Sequence, residues 1–315
     1  MCVNKLYVSN FYDNSVSIID AYQMKVINEL IVGEWPEAVV SDQGKNMVYV
    51  TNRKNNNVTV IDANVDKVID TISVGDSPQC MAINPFTNRL YVANYYSKNI
   101  SIIDLEKNEV IATIPLIYNP YSISINKNTN LIYVAMGAGY VSLINATNAT
   151  VLKRRYIDDV PVNIVIDPDT SILYATKPTT NSIVMYNGLT GEKLGEIMVG
   201  SFPWGIAINP ITDLIYVTNF NSNTVTIINK FNSRVEKTVR VGNMPSEIYI
   251  CTKRNLIYCT NSFDDTVSII DGFRNKFVGL IEVGNYPSGI AGINNCMNKE
   301  KRITKKVDVS HKKLT

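Results

Sequence analysis

The chain has 315 residues, 45% hydrophobic and 18% charged, with 30 Lys and Arg against 28 Asp and Glu for a net charge of +2. That apolar share supports a large buried core and argues against a disordered chain, and no stretch approaches the length of a membrane span. A single histidine, His311, and five cysteines without metal-like or C-x-x-C spacing argue against histidine-based catalysis and against a Cys/His metal centre.

The first element read along the chain is LYVSN at 6–10. It returns as VYVTN at 48–52, LYVAN at 90–94, IYVAM at 132–136, LYATK at 173–177, IYVTN at 215–219 and IYCTN at 257–261. The tyrosines of this phrase, Tyr7 to Tyr258, are spaced by 42, 42, 42, 41, 42 and 42 residues. Pro36, Pro78, Pro120, Pro161, Pro203, Pro245 and Pro287 keep the same period, usually inside V-G-x-x-P. A fixed period of this size means stacked supersecondary units.

Each unit holds four short apolar runs, as in Cys80–Ile83, Leu90–Ala93, Ile100–Ile103 and Val110–Ile114. They are rich in β-branched and aromatic residues and are bounded by Asn, Asp, Gly or Pro, which reads as strands. Asn84-Pro85-Phe86-Thr87-Asn88 is a tight-turn sequence, so the first two strands form a hairpin. The third run ends in Asp or Asn in every unit, a turn former where the chain reverses into the fourth strand.

Seven repeats of a four-stranded antiparallel unit predict an all-β, seven-bladed β-propeller. Residues 1–31 supply only the second to fourth strands of a unit, and residues 287–293 supply one orphan first strand. The C-terminal strand is therefore expected to join the N-terminal blade and close the ring. The domain reading is a single propeller over 1–294 followed by a tail over 295–315. That tail carries seven Lys/Arg against Glu300 and Asp308, a charge of +5 that leaves the ring at −3. It is expected to be disordered, with a basic arm for nucleic acid or an anionic surface as the sharper alternative.

The phrases Tyr49-Val50-Thr51-Asn52 and Tyr216-Val217-Thr218-Asn219 resemble the YVTN-repeat β-propellers, and the resemblance spans residues 1–294. Trp35 and Trp204 are not followed by Asp, and Gly-Gly pairs are absent, so WD40 and kelch repeats do not fit. The resemblance implies relatives among archaeal surface-layer and bacterial periplasmic proteins, similar to the lactonase-like and haem d1-binding propellers. It implies little chemistry, because function lives in sites grafted on the scaffold.

Cys80, Cys251 and Cys259 fall on strands and read as buried small hydrophobes. Cys251 and Cys259 share a hairpin without facing each other, so no disulfide is expected between them and a reducing compartment is favoured. With strand beginning within five residues of Met1, the chain is read as cytoplasmic, or at the cell surface if it is a piece of a longer protein.

In a propeller the loops entering the first strand and following the second open on one face, around the channel mouth. That face collects Trp35, Tyr121, Phe202, Trp204 and Tyr286 from the V-G-x-x-P loops, and Phe11, Tyr12, Tyr95, Tyr96, Phe220 and Phe263 from the loops after Y-V-x-N. Their charges are uneven, Asp264, Asp265 and Asp13 on one side and Arg53, Lys54 and Lys98 on the other. The middle repeats depart from the pattern, with Ile117 and Asp158 at the usual Gly and with Gly137 and Lys177 read in place of the usual Asn.

The expected function is a non-catalytic binding or scaffold propeller, monomeric and without cofactor or metal, recognising a protein, glycan or other polymer. Its site is read as Trp35, Arg53, Lys54, Tyr95, Tyr96, Lys98, Tyr121, Phe202, Trp204 and Tyr286. One alternative is a lactonase-like hydrolase or isomerase using carboxylates such as Glu37 and Glu247, marked by a tight cluster of acids and Arg with shifted pKa values. The other is a single-stranded nucleic-acid binder using Arg53, Lys54, Lys98 and the tail beside Tyr95 and Tyr96.

Overall fold

The computed structural model describes residues 2–157 and 160–296, and the expected tail beyond 296 and the departure at Asp158 lie outside the described residues. The described residues form seven four-stranded antiparallel sheets, each running from an inner strand to an outer one in sequence order. In blade 2 the strands are Pro36–Asp42, Met47–Asn52, Asn57–Asp62 and Lys67–Ser73, and the remaining blades repeat this order at the sequence period. The exception is blade 1, whose inner strand, Pro287–Cys296, comes from the other end of the chain. It pairs antiparallel with Cys2–Asn10, in a register running through Lys5↔Ile293 and Tyr7↔Ala291, and so closes the ring.

The repeated phrase is the second strand of each blade, and its residue types follow from its place between two neighbouring blades. Side chains alternate across a sheet. Leu6 and Val8 pack toward blade 7 with Tyr258 and Ile269, and Tyr7 packs toward blade 2 with Val48 and Val50. Both faces are thus covered, which is why the run is apolar without alternation. All seven tyrosines are buried to within 1%. Several also fasten blade to blade by their hydroxyls: Tyr7 donates to Asp66 at 2.8 Å and Tyr216 to Asn275 at 2.9 Å. Outer strands are mostly exposed, and five of the seven keep one buried position, filled by Ile72, Ile114, Ile197, Val239 and Ile281.

The last two letters of the phrase repair a defect. The inner strand bulges just after its proline, between Pro36 and Val39, Pro203 and Ile206, and Pro245 and Ile248. The backbone N–H freed there is taken by the Thr of the phrase: Thr51 accepts from Ala38 at 2.9 Å, Thr218 from Gly205 at 2.7 Å and Thr260 from Glu247 at 3.0 Å. Each of the latter two hydroxyls also donates to the next inner strand, Thr218 to the Ser246 carbonyl at 2.6 Å and Thr260 to the Ser288 carbonyl at 3.2 Å. The Asn that follows is buried and donates twice to the third strand, as Asn219 does to Thr224 at 3.0 Å and Thr226 at 2.8 Å.

The V-G of the entry loop is coupled to that Asn. A Cβ on Gly33, Gly75, Gly200, Gly242 or Gly284 would lie 2.4–2.8 Å from atoms of Asn52, Asn94, Asn219, Asn261 or Asn10. This register corrects one reading of the sequence: the residue at the Asn position of blade 4 is Met136, paired opposite Pro120 as Asn94 is opposite Pro78, and Gly137 belongs to the loop beyond. Met136 and Lys177 each lie 19 residues after the two replaced glycines, Ile117 and Asp158. Gly and Asn are therefore replaced together.

On the face opposite the loop face, cations link neighbouring blades. Lys5 pairs with Asp66 at 2.6 Å, and Lys230, 7% exposed, lies 2.8 Å from Asp213 and 3.3 Å from the buried Asp167. Cys251 and Cys259 are buried and form no disulfide, and they stand opposite Leu256 and Ile248 respectively.

Candidate functional site at the channel mouth

Seven inner strands converge on the axis, and the residues just after the seven prolines lead into it. These are Glu37, Gln79, Tyr121, Val162, Trp204, Ser246 and Ser288, and all of them line one cavity of about 340 Å³ at the loop-face end of the channel. The next position adds Cys80, Ser122, Asn163, Glu247 and Gly289. The bulge turns two consecutive side chains of one strand toward the same space, where a regular strand would offer one. Glycines at this position let the inner strands close up, since a Cβ on Gly205 would meet the Ser246 carbonyl at 2.3 Å and one on Gly289 the Glu37 carbonyl at 2.2 Å.

Two carboxylates set the electrostatics. Glu37 accepts from the Arg53 guanidinium at 3.0 Å, and Arg53 also reaches the Ser77 hydroxyl at 3.3 Å. Burial raises the Glu37 carboxyl, and Arg53 opposes that rise. Glu247 accepts from the Asn163 side-chain amide at 3.0 Å, and the Ile248 N–H also favours its ionised form, yet no described cation pairs with it. Burial, then the nearby Glu37 charge, push it up to about 7. Burial likewise holds the Cys80 thiol at about 12, which makes it unreactive at neutral pH. The serines of the mouth are occupied by the scaffold: Ser246 bonds Thr260 and Ser262, and Ser288 donates to the Pro36 carbonyl.

The aromatic residues separate into groups rather than one sheet of rings. Trp204 and Phe220 stand on the cavity wall, 5.8 Å apart, with Phe202 stacked behind Trp204 at 6.0 Å. Tyr121, also on the wall, shares a hydrogen bond with Tyr95 at 3.3 Å, which with burial holds it at about 12, and Tyr96 packs edge-on against Tyr95. Tyr286 lines the cavity and belongs to a group with Phe11, Tyr12 and Trp35. Trp35, Tyr12, Tyr96 and Phe263 are exposed on the rim. Trp35, Phe202 and Tyr286 adopt left-handed φ of 57°, 57° and 56° before their prolines. Each is held there by its N–H donating to the preceding blade, at Asn14, Asn181 and Asp265.

Of the ten residues assigned from sequence, Tyr121, Trp204 and Tyr286 reach the cavity, and Arg53 acts on it through Glu37. Lys54 pairs with Glu34 and lies 5.7 Å over the Trp35 ring. Trp35, Tyr95, Tyr96, Lys98 and Phe202 lie outside the cavity lining, Lys98 exposed in the turn after Tyr95 and Tyr96. The uneven rim charge is largely engaged in fastening loops: Asp264 accepts from Asn243, Asp265 from Tyr286 and Asp13 from Asn285. Sequence reasoning passed over Gln79 and Asn163. Their signal was present in the two columns after the proline, which vary freely among repeats between the fixed proline and a third position that is always Val, Met or Ile.

Among the described residues no group of three or more His, Cys, Asp or Glu could hold a metal ion, and no helix is long and apolar enough to cross a membrane. A sequence model of the YNCE-like β-propellers matches residues 3–89. No curated protein matches the sequence. Among solved structures, the chain is similar to hydrazine synthase of Kuenenia stuttgartiensis, with a TM-score of 0.76 and 22% identity over 85% of this chain and 92% of that one. It is also similar to a functionally unknown protein from Desulfotomaculum acetoxidans DSM 771, with a TM-score of 0.81 and 16% identity over 92% and 99%. A third likeness is to the dihydro-heme d1 dehydrogenase NirN in complex with DHE, with a TM-score of 0.69 and 14% identity over 89% of this chain and 64% of that one. At these identities the likeness is one of fold. The matched sequence model and the seven blades fit a YVTN-like propeller family.

Proposed function

We propose that this propeller is a binding module that seats a small ligand, or one side group of a protein or glycan partner, in the mouth of its central channel. The observation that carries the reading is the cavity itself. Its volume of about 340 Å³ falls in the range of small-molecule sites, and its wall combines Trp204, Phe220 and Tyr286 with a few converging polar groups. The exposed Trp35, Tyr12, Tyr96 and Phe263 around it would extend contact to a larger partner.

The test uses the two tryptophans. In a Trp35→Phe background Trp204 is the sole indole, and a ligand entering the mouth is expected to shift its emission and raise the melting temperature. A library of metabolites, sugars and peptides that moves neither signal would overturn the reading.

A second reading, a hydrolase or isomerase, is favoured by one observation: Glu37 and Glu247 both line the mouth, Glu37 is paired with Arg53, and both acids are raised. Turnover of a lactone or sugar-acid panel, lost in Glu247→Gln, would establish it. The nucleic-acid reading has less support, because Arg53 and Lys54 are each engaged by a carboxylate.

A further inference from the structure

We propose that the channel mouth selects an organic cation, a primary ammonium group on an apolar stem, with the charge at Glu247 and the stem against Trp204 and Phe220. The proposal deepens the binding reading above and rests on it. Three observations on different elements converge here.

The first is charge balance. Two carboxylates enter the cavity from blades 2 and 7, and the guanidinium beside them, Arg53, forms its ion pair with Glu37 and not with Glu247. With both acids ionised the mouth holds one uncompensated negative charge. Buried charges are paired or neutralised by protonation, because an isolated one is strongly disfavoured in a medium of low polarity. The raised Glu247 carboxyl leans toward that second outcome, and a bound cation would supply the first.

The second is the set of donors around Glu247. Asn163 and the Ile248 N–H orient the carboxylate without carrying charge, which leaves it positioned for a third partner. The other titratable groups near it are Glu37, Cys80 and Cys259, each of which would be neutral or negative at working pH. The Arg53 charge is balanced by its pairing with Glu37, and an anionic ligand would meet an acid with no free base beside it.

The third is the wall. Trp204 and Phe220 stand within 5.8 Å of each other on the same cavity, and aromatic faces attract ammonium groups through the ring quadrupole while covering an apolar stem. The serines are already bonded within the scaffold, so hydroxyl-rich ligands find fewer open partners than a cation does.

The experiment compares butylamine, phenethylamine and putrescine with 1-butanol and 2-phenylethanol by calorimetry and by Trp204 emission in the Trp35→Phe protein. At least one amine is expected to bind at least tenfold more tightly than its neutral alcohol. Its affinity should rise severalfold from pH 5.5 to 8 as Glu247 gives up its proton, and fall at least tenfold in Glu247→Gln with the alcohol unaffected. Trp204→Ala should weaken amine and alcohol alike. Alcohols binding as well as amines, or an amine indifferent to Glu247→Gln, would overturn the cation proposal while leaving the binding module intact. Binding of no amine, with a different library ligand moving Trp204, would do the same, whereas silence from every compound would remove both. Circular dichroism of each variant separates loss of binding from loss of fold.

Discussion

At the scale of single residues, the phrase Y-V-T-N is four answers to four physical demands. The tyrosine fills the space between blades, the valine extends the shared core, the threonine satisfies the N–H stranded by the inner-strand bulge, and the asparagine binds the third strand. Glu247 shows a residue kept against stability. Its folded-state value of about 7 lies above the usual 4.5, so below pH 4.5 both folded and unfolded chains hold the proton and no penalty arises. The penalty grows between pH 4.5 and 7 as the unfolded chain alone ionises, and is complete above 7. Glu247→Gln is therefore expected to stabilise the protein by about 1–3 kcal/mol at pH 8.5 and to leave it unchanged at pH 4, the range allowing for the water that reaches the carboxylate through the mouth. Urea midpoints at the two pH values check this, and an equal gain at both would disprove the linkage.

At the scale of the element, one blade is a set of mutually dependent positions. Because a Cβ on Gly200 would lie 2.5 Å from Asn219, Gly200→Ile alone is expected to cost about 1–3 kcal/mol by overpacking, and Asn219→Met alone about 1–2 kcal/mol by leaving the Thr224 and Thr226 hydroxyls short of a donor. The double variant reproduces the Ile117 and Met136 pair of blade 4. It should be less destabilised than the sum of the two singles by roughly 1 kcal/mol or more in denaturant titrations. Strict additivity would mean that the two columns change together for some other reason.

For the whole molecule the decisive element is Pro287–Cys296, which supplies Ile290, Ala291 and Ile293 to the packing of blade 1 against both neighbours. A chain ending before Asn285 would leave the Lys5–Asn10 edge unpaired and those interfaces open. It is expected to aggregate or to lose more than 10 °C of melting temperature, while a chain ending at Cys296 is expected to melt as the full protein does. Indistinguishable melting of the two truncations would refute closure by this strand.

The sequence by itself determined the blade count, the strand order and the closure, because each rests on a pattern that repeats. A 42-residue period carries its own register, and an orphan strand at one end must complement the missing strand at the other. It also placed the aromatic residues on the loop face, since that follows from their position in the unit. The site was legible only in outline. Glu37 and Glu247 stood out as acids near the loop proline, but nothing in a linear chain says that residues 84 positions apart, Asn163 and Glu247, are hydrogen-bonded across the mouth. Tertiary structure decided that, along with which cations are already paired and which rings face the cavity. A repeat fixes what is the same in every blade, whereas a binding site is made from what differs, and those differences acquire meaning only when the ring brings the side chains of seven blades to one axis.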